Sequence, residues 1–514
     1  MRHAFGTRRA KARTAAAVLI LFLCVFSLSP LAVSRPTSAV RAETDGETSS
    51  ETIQKALRDF QSEDPAIRKR AILILGKYPD ERARSALVDA LDDPHATVRR
   101  NALVSMTEQN WFPTRQLGSV LKLLGDDDVH IRRIASSALP NLRTVLRAAL
   151  ASDFPNANAL ARTLGIDDSA LEAVKTAFVD SDETVRKNML TYASLFPGLP
   201  GKEALARLLK DGSAEIRVKA VALAADTLSA DALASACRPL VNDESAAVRR
   251  RLVDELARRT TPANLELLEA LSRDDELSIA AAAAEALLRR GKTVSAEIVR
   301  NALQATSVDN NLKVRLLFAV RRQAAPGNPY DKLLRDAYTS PQPRIRAAAL
   351  RARALVLDDK QRRKDALAML EDPAEAVRTA ALTMIKHSAS QLAPAELKQL
   401  LRNPHADIRR QIVGLSRNLQ PEEARELLLE LLLDDNTAVR ANAIAEFGRR
   451  RLPGAHRILR QSLRDDNKTI TRAAVVGLIN LADPKAADIL QTYAEKENDQ
   501  QLLRAARRLR QRLQ

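Results

Sequence analysis

Histidines, two cysteines and a series of paired aspartates are the residues of this 514-residue chain equipped for metal binding, nucleophilic attack or acid–base work. Beyond the first fifty residues the histidines are His95, His130, His387, His405 and His456. His95, His130 and His405 fall in one recurring phrase, as DDPHATVR, DDDVHIRR and NPHADIRR, each at a turn. A zinc site needs three or four ligands at about 2 Å from one ion. Turn histidines several units apart in an extended stack do not converge, so no metal ligand set is expected. Cys237 lies in ADALASACRPL, a helical pattern that gives it the role of a small core residue. The sequence holds no paired cysteines beside it, no H-E-x-x-H, no phosphate-cradling glycine loop and no G-x-S-x-G. Aspartate pairs such as Asp434-Asp435 have the chemistry of a carboxylate dyad, but each opens a helical stretch, where an acceptor for free N–H groups is wanted anyway. A non-enzymatic protein without metal or cofactor is the expectation.

The aspartates belong to a phrase that keeps restarting. It reads DPAEAVRTAALTMIK from Asp372, DDNTAVRANAIAEFG from Asp434 and DDNKTITRAAVVGLI from Asp465. Its apolar–Arg pair recurs from Ile67-Arg68 to Val439-Arg440, mostly every 31 to 33 residues, with one step of 35 and one of 54. A fixed period in this range marks a repeat architecture. Six residues before each arginine position stands Ser62, Asp93, Asp126, Asp180, Asp211, Asp243, Asp274, Asp309, Ser340, Asp372, Asn403, Asp434, Asp465 or Asn498. All are helix N-cap types, and a carboxylate there also meets the positive end of the helix dipole. Behind the cap, apolar residues return at three and four spacings, as at Val439, Ala443, Ile444 and Phe447. A Pro or Gly break and a shorter second helix follow, such as Glu422 to Leu433. A helix–turn–helix unit of this size cannot bury both apolar faces alone and must stack on its neighbours. Apolar residues make up 46% and aromatics only 3%, so the core must be Leu, Ala, Ile and Val.

The D-x-x-x-x-V-R-x-x-A phrase resembles HEAT repeats, in the short form also found in phycobilisome lyases and here of an exported bacterial kind, over residues 51–514. The resemblance implies an all-α fold, an α-solenoid of about fourteen helix-turn-helix repeats with a contour on the order of 130 Å. It also implies that the arginines lie between successive repeats near N-cap aspartates. The pairs would be drawn from Asp93, Arg99, Asp126, Arg132, Asp180, Arg186, Asp211, Arg217, Asp243, Arg249, Asp309, Arg315, Asp372, Arg378, Asp434 and Arg440. Ala280 and Thr471 replace the arginine and leave gaps. The function implied is a scaffold or adaptor holding a protein or peptide partner. Two other readings stand beside it: a binder of an anionic polymer or nucleic acid through a basic surface, and a lyase-like enzyme accessory. Second helices of mixed sign, without aromatic platforms, disfavour nucleic acid.

The N-terminus reads as a separate segment, residues 1–42. Arg2, Arg8, Arg9, Lys11 and Arg13 precede the apolar run Ala15 to Val33, and cleavage-type residues follow at Ala32 to Ser34 or Val40 to Ala42. That order is a secretory signal peptide, with Pro30 favouring cleavage; the rival is an uncleaved anchor at residues 15–33. Both put the rest outside the cytoplasm, periplasmic or secreted. Cleavage removes Cys24 and leaves Cys237 with no partner for a disulfide. It also removes seven of 81 basic groups, and the 74 that remain against 64 acidic ones give a net charge of +10, down from +17. Residues 43–50 are expected to be a disordered linker.

The 54-residue step contains Asn141 to Asp180, which Pro140, Pro155 and the Asp167 start divide into about three helices. It reads as a degenerate repeat, or as a joint that alters curvature, and puts the internal boundary at 155: N-terminal repeats 51–154, C-terminal repeats 155–514. The last segment, Gln501 to Gln514, has Arg504, Arg507, Arg508, Arg510 and Arg512 around three leucines. It reads as a capping helix, or as a basic contact with an anionic membrane or polymer. Trp111 and Phe112, the adjacent aromatic pair, either anchor a partner or fold back over the first repeats.

Overall fold

A computed structural model describes residues 42–113, 115–150, 157–259, 261–325, 327–387 and 394–513. The apolar run 15–33, Cys24 and the boundary expected at 155 lie outside them. All regular elements among the described residues are helices, and none is long and apolar enough to cross a membrane. Two compact units divide between Ala177 and Phe178.

The first unit contains α1 (Ala42–Phe60), α2 (Pro65–Leu75), α3 (Glu81–Asp89), α4 (Ala96–Glu108), α5 (Leu117–Lys122), α6 (Val129–Leu150), α7 (Ala157–Thr163) and α8 (Asp168–Ala177). The second runs in pairs, beginning α9 (Glu183–Thr191) with α10 (Lys202–Leu208), then α11 (Ala214–Thr227) with α12 (Ala230–Cys237). Next come α13 (Ala246–Leu256) with α14 (Pro262–Leu271), α15 (Leu277–Arg289) with α16 (Ala296–Gln304), and α17 (Asn310–Val320) with α18 (Pro329–Asp336). Then follow α19 (Pro343–Ala354) with α20 (Asp359–Met369), α21 (Glu375–His387) with α22 (Pro394–Leu400), and α23 (Ala406–Leu415) with α24 (Pro421–Leu431). The end is α25 (Thr437–Arg449) with α26 (Ala455–Ser462), α27 (Lys468–Leu481) with α28 (Pro484–Lys496), and α29 (Gln500–Leu513). Each unit is therefore a stack of helix pairs, an α-solenoid.

The apolar member of the repeated pair carries the stack. Val98, Ile131, Val185, Val248, Val377 and Val439 are completely buried. Removing such a side chain from water contributes about 1.5–3 kcal/mol. Fully buried Ala102, Ala220, Ala349 and Ala443 keep the first helices close together. The second helices add leucines such as Leu268, Leu428 and Leu459.

Three local expectations are corrected. The stretch 43–50, expected as a disordered linker, continues the helix α1, whose later turns are anchored by buried Ile53 and Ala56. Extending a helix already nucleated by packing needs little further drive per residue. Pro140 does not break its helix, because α6 runs through it with Ala138, Leu139, Leu142 and Leu146 buried on both sides. That burial outweighs the roughly 3 kcal/mol a mid-helix proline costs. The recurring aspartates, finally, are mostly not the caps themselves. Asp93 accepts the N–H of His95 at 2.8 Å, Asp211 that of Ser213 at 2.9 Å, and Asp434 that of Asn436 at 2.8 Å. The cap is that second residue: His95 for α4, Ser213 for α11, Asn436 for α25. Asp309 does cap its helix, accepting from Asn311 and Leu312.

Candidate binding surface and the ladders that position it

Standing two residues outside the helix frees each aspartate's carboxylate to face the preceding repeat. Arg99 donates Nε and Nη2 to Asp126 at 2.8 and 2.9 Å, while its Nη1 donates to the carbonyls of Asp93 and Pro94. The same fork joins Arg68 to Asp93, Arg186 to Asp211, Arg217 to Asp243, Arg249 to Asp274, Arg346 to Asp372 and Arg409 to Asp434. A planar guanidinium can serve a carboxylate and two carbonyls together; an ammonium cannot. Each rung thus closes the carbonyl ends of one turn onto the next.

Several positions depart from this. Arg378 goes to Asp407 at 3.0 Å, because Asn403 stands where the carboxylate would be. Arg315 is half exposed and lies 3.8 Å from Glu285 of the preceding repeat, since the repeat ahead offers Ser340 in place of an acid. Arg440 keeps its bonds to the carbonyls of Asp434 and Asp435 and turns Nη2 to Thr437, not to Asp465. Asp309 faces Ala280 in the preceding repeat, which leaves its carboxylate for the helix cap. In the irregular region Arg132 donates to the carbonyls of Asp126 and Asp127, and Asp180 accepts from the N–H of Asp182.

The guanidinium of Arg346 holds the Asp372 carboxyl below the usual carboxylate range, and Arg409 does the same for Asp434. At Asp93 and Asp243 burial pushes upward, but Arg68 and Arg217, with a backbone N–H each, prevail. Depressed carboxyls stabilise the fold above their unfolded value, near pH 4, and that contribution is lost as pH falls through their folded values. The thermal midpoint should therefore hold steady from pH 7 to about pH 5 and fall below about pH 4. Asp372→Asn should flatten that fall; an identical acid limb in circular dichroism melts would count against the rungs as its source.

A second ladder has no side-chain signature at its acceptor end. At the C-terminal ends of the first helices, a long side chain reaches back one repeat to backbone carbonyls. Arg259 donates to Leu228 and Ala225, Arg290 to Ala257, Arg322 to Arg289, and Arg450 to Ser416 and Leu419. Gln109 does so to Gly76, and Gln323 to Lys292. These are among the carbonyls a helix leaves unsatisfied. The first helices are thereby tied at both ends, and the second helices are left to vary.

The second helices do vary. Arg238 on the link after α12 meets Glu266 of α14 at 2.7 Å, Arg363 of α20 meets Glu396 of α22 at 3.2 Å, and Lys398 of α22 meets Glu426 of α24 at 3.4 Å. Trp111 and Phe112 are half-buried; the Arg84 guanidinium of α3 lies 4.9 Å over the Trp111 ring. Trp111 thus packs back against the first repeats. In α29, Ala506 and Leu509 are buried while Arg504, Arg507, Arg508 and Arg512 are exposed, and Arg510 pairs with Asp488. His95 and His405 cap α4 and α23 through the backbone, His130 lies in the first turn of α6, and His456 joins Asp483 at 2.8 Å. Among the described residues no three His, Cys, Asp or Glu stand close enough to hold a metal ion. Cys237 is fully buried, and burial pushes its thiol up to about 12.

Residues 39–107 and 418–510 match the family model for HEAT repeats. No curated protein matches the chain. Among solved structures, Kap121p bound to RanGTP is 15% identical over 89% of this chain and 54% of that one, with a TM-score of 0.41. Importin beta is 14% identical over 83% and 60%, at 0.36. The full-length AP-3 complex in an intermediate open conformation, a homology model, is 15% identical over 98% and 97%, at 0.42. The chain spans about half the length of the Kap121p chains it matches. The matched segments near the two ends of the chain are HEAT repeats, and the same helix-pair grammar runs between them.

Proposed function

We propose that this protein is a non-enzymatic scaffold or adaptor of the cell envelope, exported by its N-terminal leader, whose second helices present a surface to a protein or peptide partner. The observation that supports this reading is the division of labour within the repeat. First helices repeat one grammar and are tied through both ends, whereas second helices change charge from unit to unit. A face that varies on a fixed frame suits recognition of a partner of defined sequence. The basic head and apolar run before residue 42 support export, and the mild positive excess of the remaining chain favours a protein over a long polyanion.

Cross-linking in intact cells, followed by affinity purification from the envelope fraction, tests it. The expected result is one or a few proteins in near-stoichiometric yield. Their recovery should fall several-fold when Glu422 and Glu430 of α24 are changed to lysine. Recovery of the chain alone, or its appearance only in the cytoplasmic fraction, would sink the proposal.

A further inference from the structure

Helix α26 breaks the charge balance of its face. Its Arg457 and Arg460, with Arg464 in the turn just beyond it and Lys485 at the start of α28, line a cavity of ≈450 Å³ together with His456 and Gln461. None of the four cationic side chains has a hydrogen bond or ion pair among the described residues. At other places on this face such charges are cancelled by the next repeat, as at Arg238–Glu266 and Lys398–Glu426. Here the acid that could do so is already taken: Asp488 of α28 is paired with Arg510. His456 is held against Asp483, the cap of α28, so the cavity wall is pinned between two helices.

We infer that this cavity is the docking site for a short acidic segment of a partner protein, one carrying side-chain carboxylates. The proposal rests on the scaffold reading above and names the chemistry of one of its contacts. Residues three apart lie on one helix face, so Arg457 and Arg460 stand side by side, and Arg464 follows them in the turn past the helix end. Arg457 and Arg460 are roughly 4.5 Å apart along the helix axis, little more than one residue of an extended peptide. Forked guanidinium groups suit planar carboxylates better than ammonium groups do. The patch is also bounded. Helix α24 beside it carries Glu422, Glu423, Glu426 and Glu430, and α28 carries Asp488 and Glu495. A nucleic acid running along the stack would have to cross those acids, and the cavity offers no Phe, Tyr or Trp ring for base stacking.

The full-length protein is titrated with a fluorescently labelled hexa-aspartate peptide, and with its hexa-asparagine counterpart, at low and moderate salt. Hexa-aspartate is expected to bind and to weaken steeply with salt, and hexa-asparagine to show no binding. The double variant Arg460→Glu/Arg464→Glu should lose at least tenfold in affinity. The control Arg507→Glu/Arg508→Glu, on the exposed face of α29, should lose less than twofold. No binding by the parent protein, equal losses in the two variants, or tighter binding of a single-stranded DNA oligomer than of the peptide would each overturn the inference. The envelope capture experiment separates the two proposals. Partner recovery retained in Arg460→Glu/Arg464→Glu leaves the scaffold standing and removes this site, whereas failure to capture any partner removes the scaffold first.

Discussion

Arg217→Ala should lower the stability of the stack by about 3 kcal/mol, the scale for removing one member of a buried charge pair. The arginine side chain is 8% exposed and its partner Asp243 is 5% exposed. Arg217 gives Nε and Nη2 to that carboxylate at 2.8 Å each, and Nη1 to the carbonyls of Asp211 and Gly212. Alanine leaves Asp243 with the N–H of Ser245 alone of these donors, and uncovers two carbonyls at the start of α11. An isolated surface pair would contribute less than about 1 kcal/mol, so the size of the loss reports burial as well as pairing. Because repeats touch only their neighbours, the damage should be local. Hydrogen exchange in the first turns of α11 and α13 should quicken about 100-fold, with α23 unchanged. Arg217→Lys should restore little of it, since an ammonium cannot span the carboxylate and both carbonyls. Unchanged protection in Arg217→Ala would show that the rung is decorative.

The all-helical repeat fold was legible because a buried apolar residue recurring every 31 to 33 positions leaves few alternatives to stacked helix pairs. The carboxylate half of each rung also has a signature, an aspartate 25 to 27 residues beyond the arginine. Its local role was misread, because spacing alone does not separate a cap from a residue two positions outside it. The carbonyl ladder went unseen for a different reason. Its acceptors are backbone groups, which every residue possesses, and only the donors could betray it. Gln109, Arg259 and Arg450 each stand ten residues after the arginine of the repeated phrase, Arg99, Arg249 and Arg440. The cavity beside α26 was invisible too: its arginines look like any solvated helix face until the structure shows that no acid answers them.

The junction where Arg440 misses its rung is joined by other means, and it sets the second large effect. There α25 and α27 meet backbone to backbone. A Cβ placed on Gly448 would lie 2.0 Å from the carbonyl oxygen of Gly477 and 2.4 Å from its carbon. Neither can move without moving α27. On an exposed helix, Gly→Ala gains about 1 kcal/mol of helix propensity, so the two effects oppose each other and their sum decides between them. Overpacking against fixed backbone costs typically about 1–3 kcal/mol, and contact this close belongs at the upper end. Gly448→Ala is therefore expected to lose about 2 kcal/mol net, with faster proteolysis at the link between α25 and α26. Gly477→Ala makes the contrast. Its Cβ would first meet Leu459 Cδ2 at 2.5 Å, the far end of a flexible side chain, and then the Ile444 carbonyl at 3.3 Å. A leucine can change rotamer where a carbonyl cannot retreat, so this variant should lose clearly less than Gly448→Ala. A Gly448→Ala protein as stable as its parent in urea would mean that propensity wins and that the two helices have room to part.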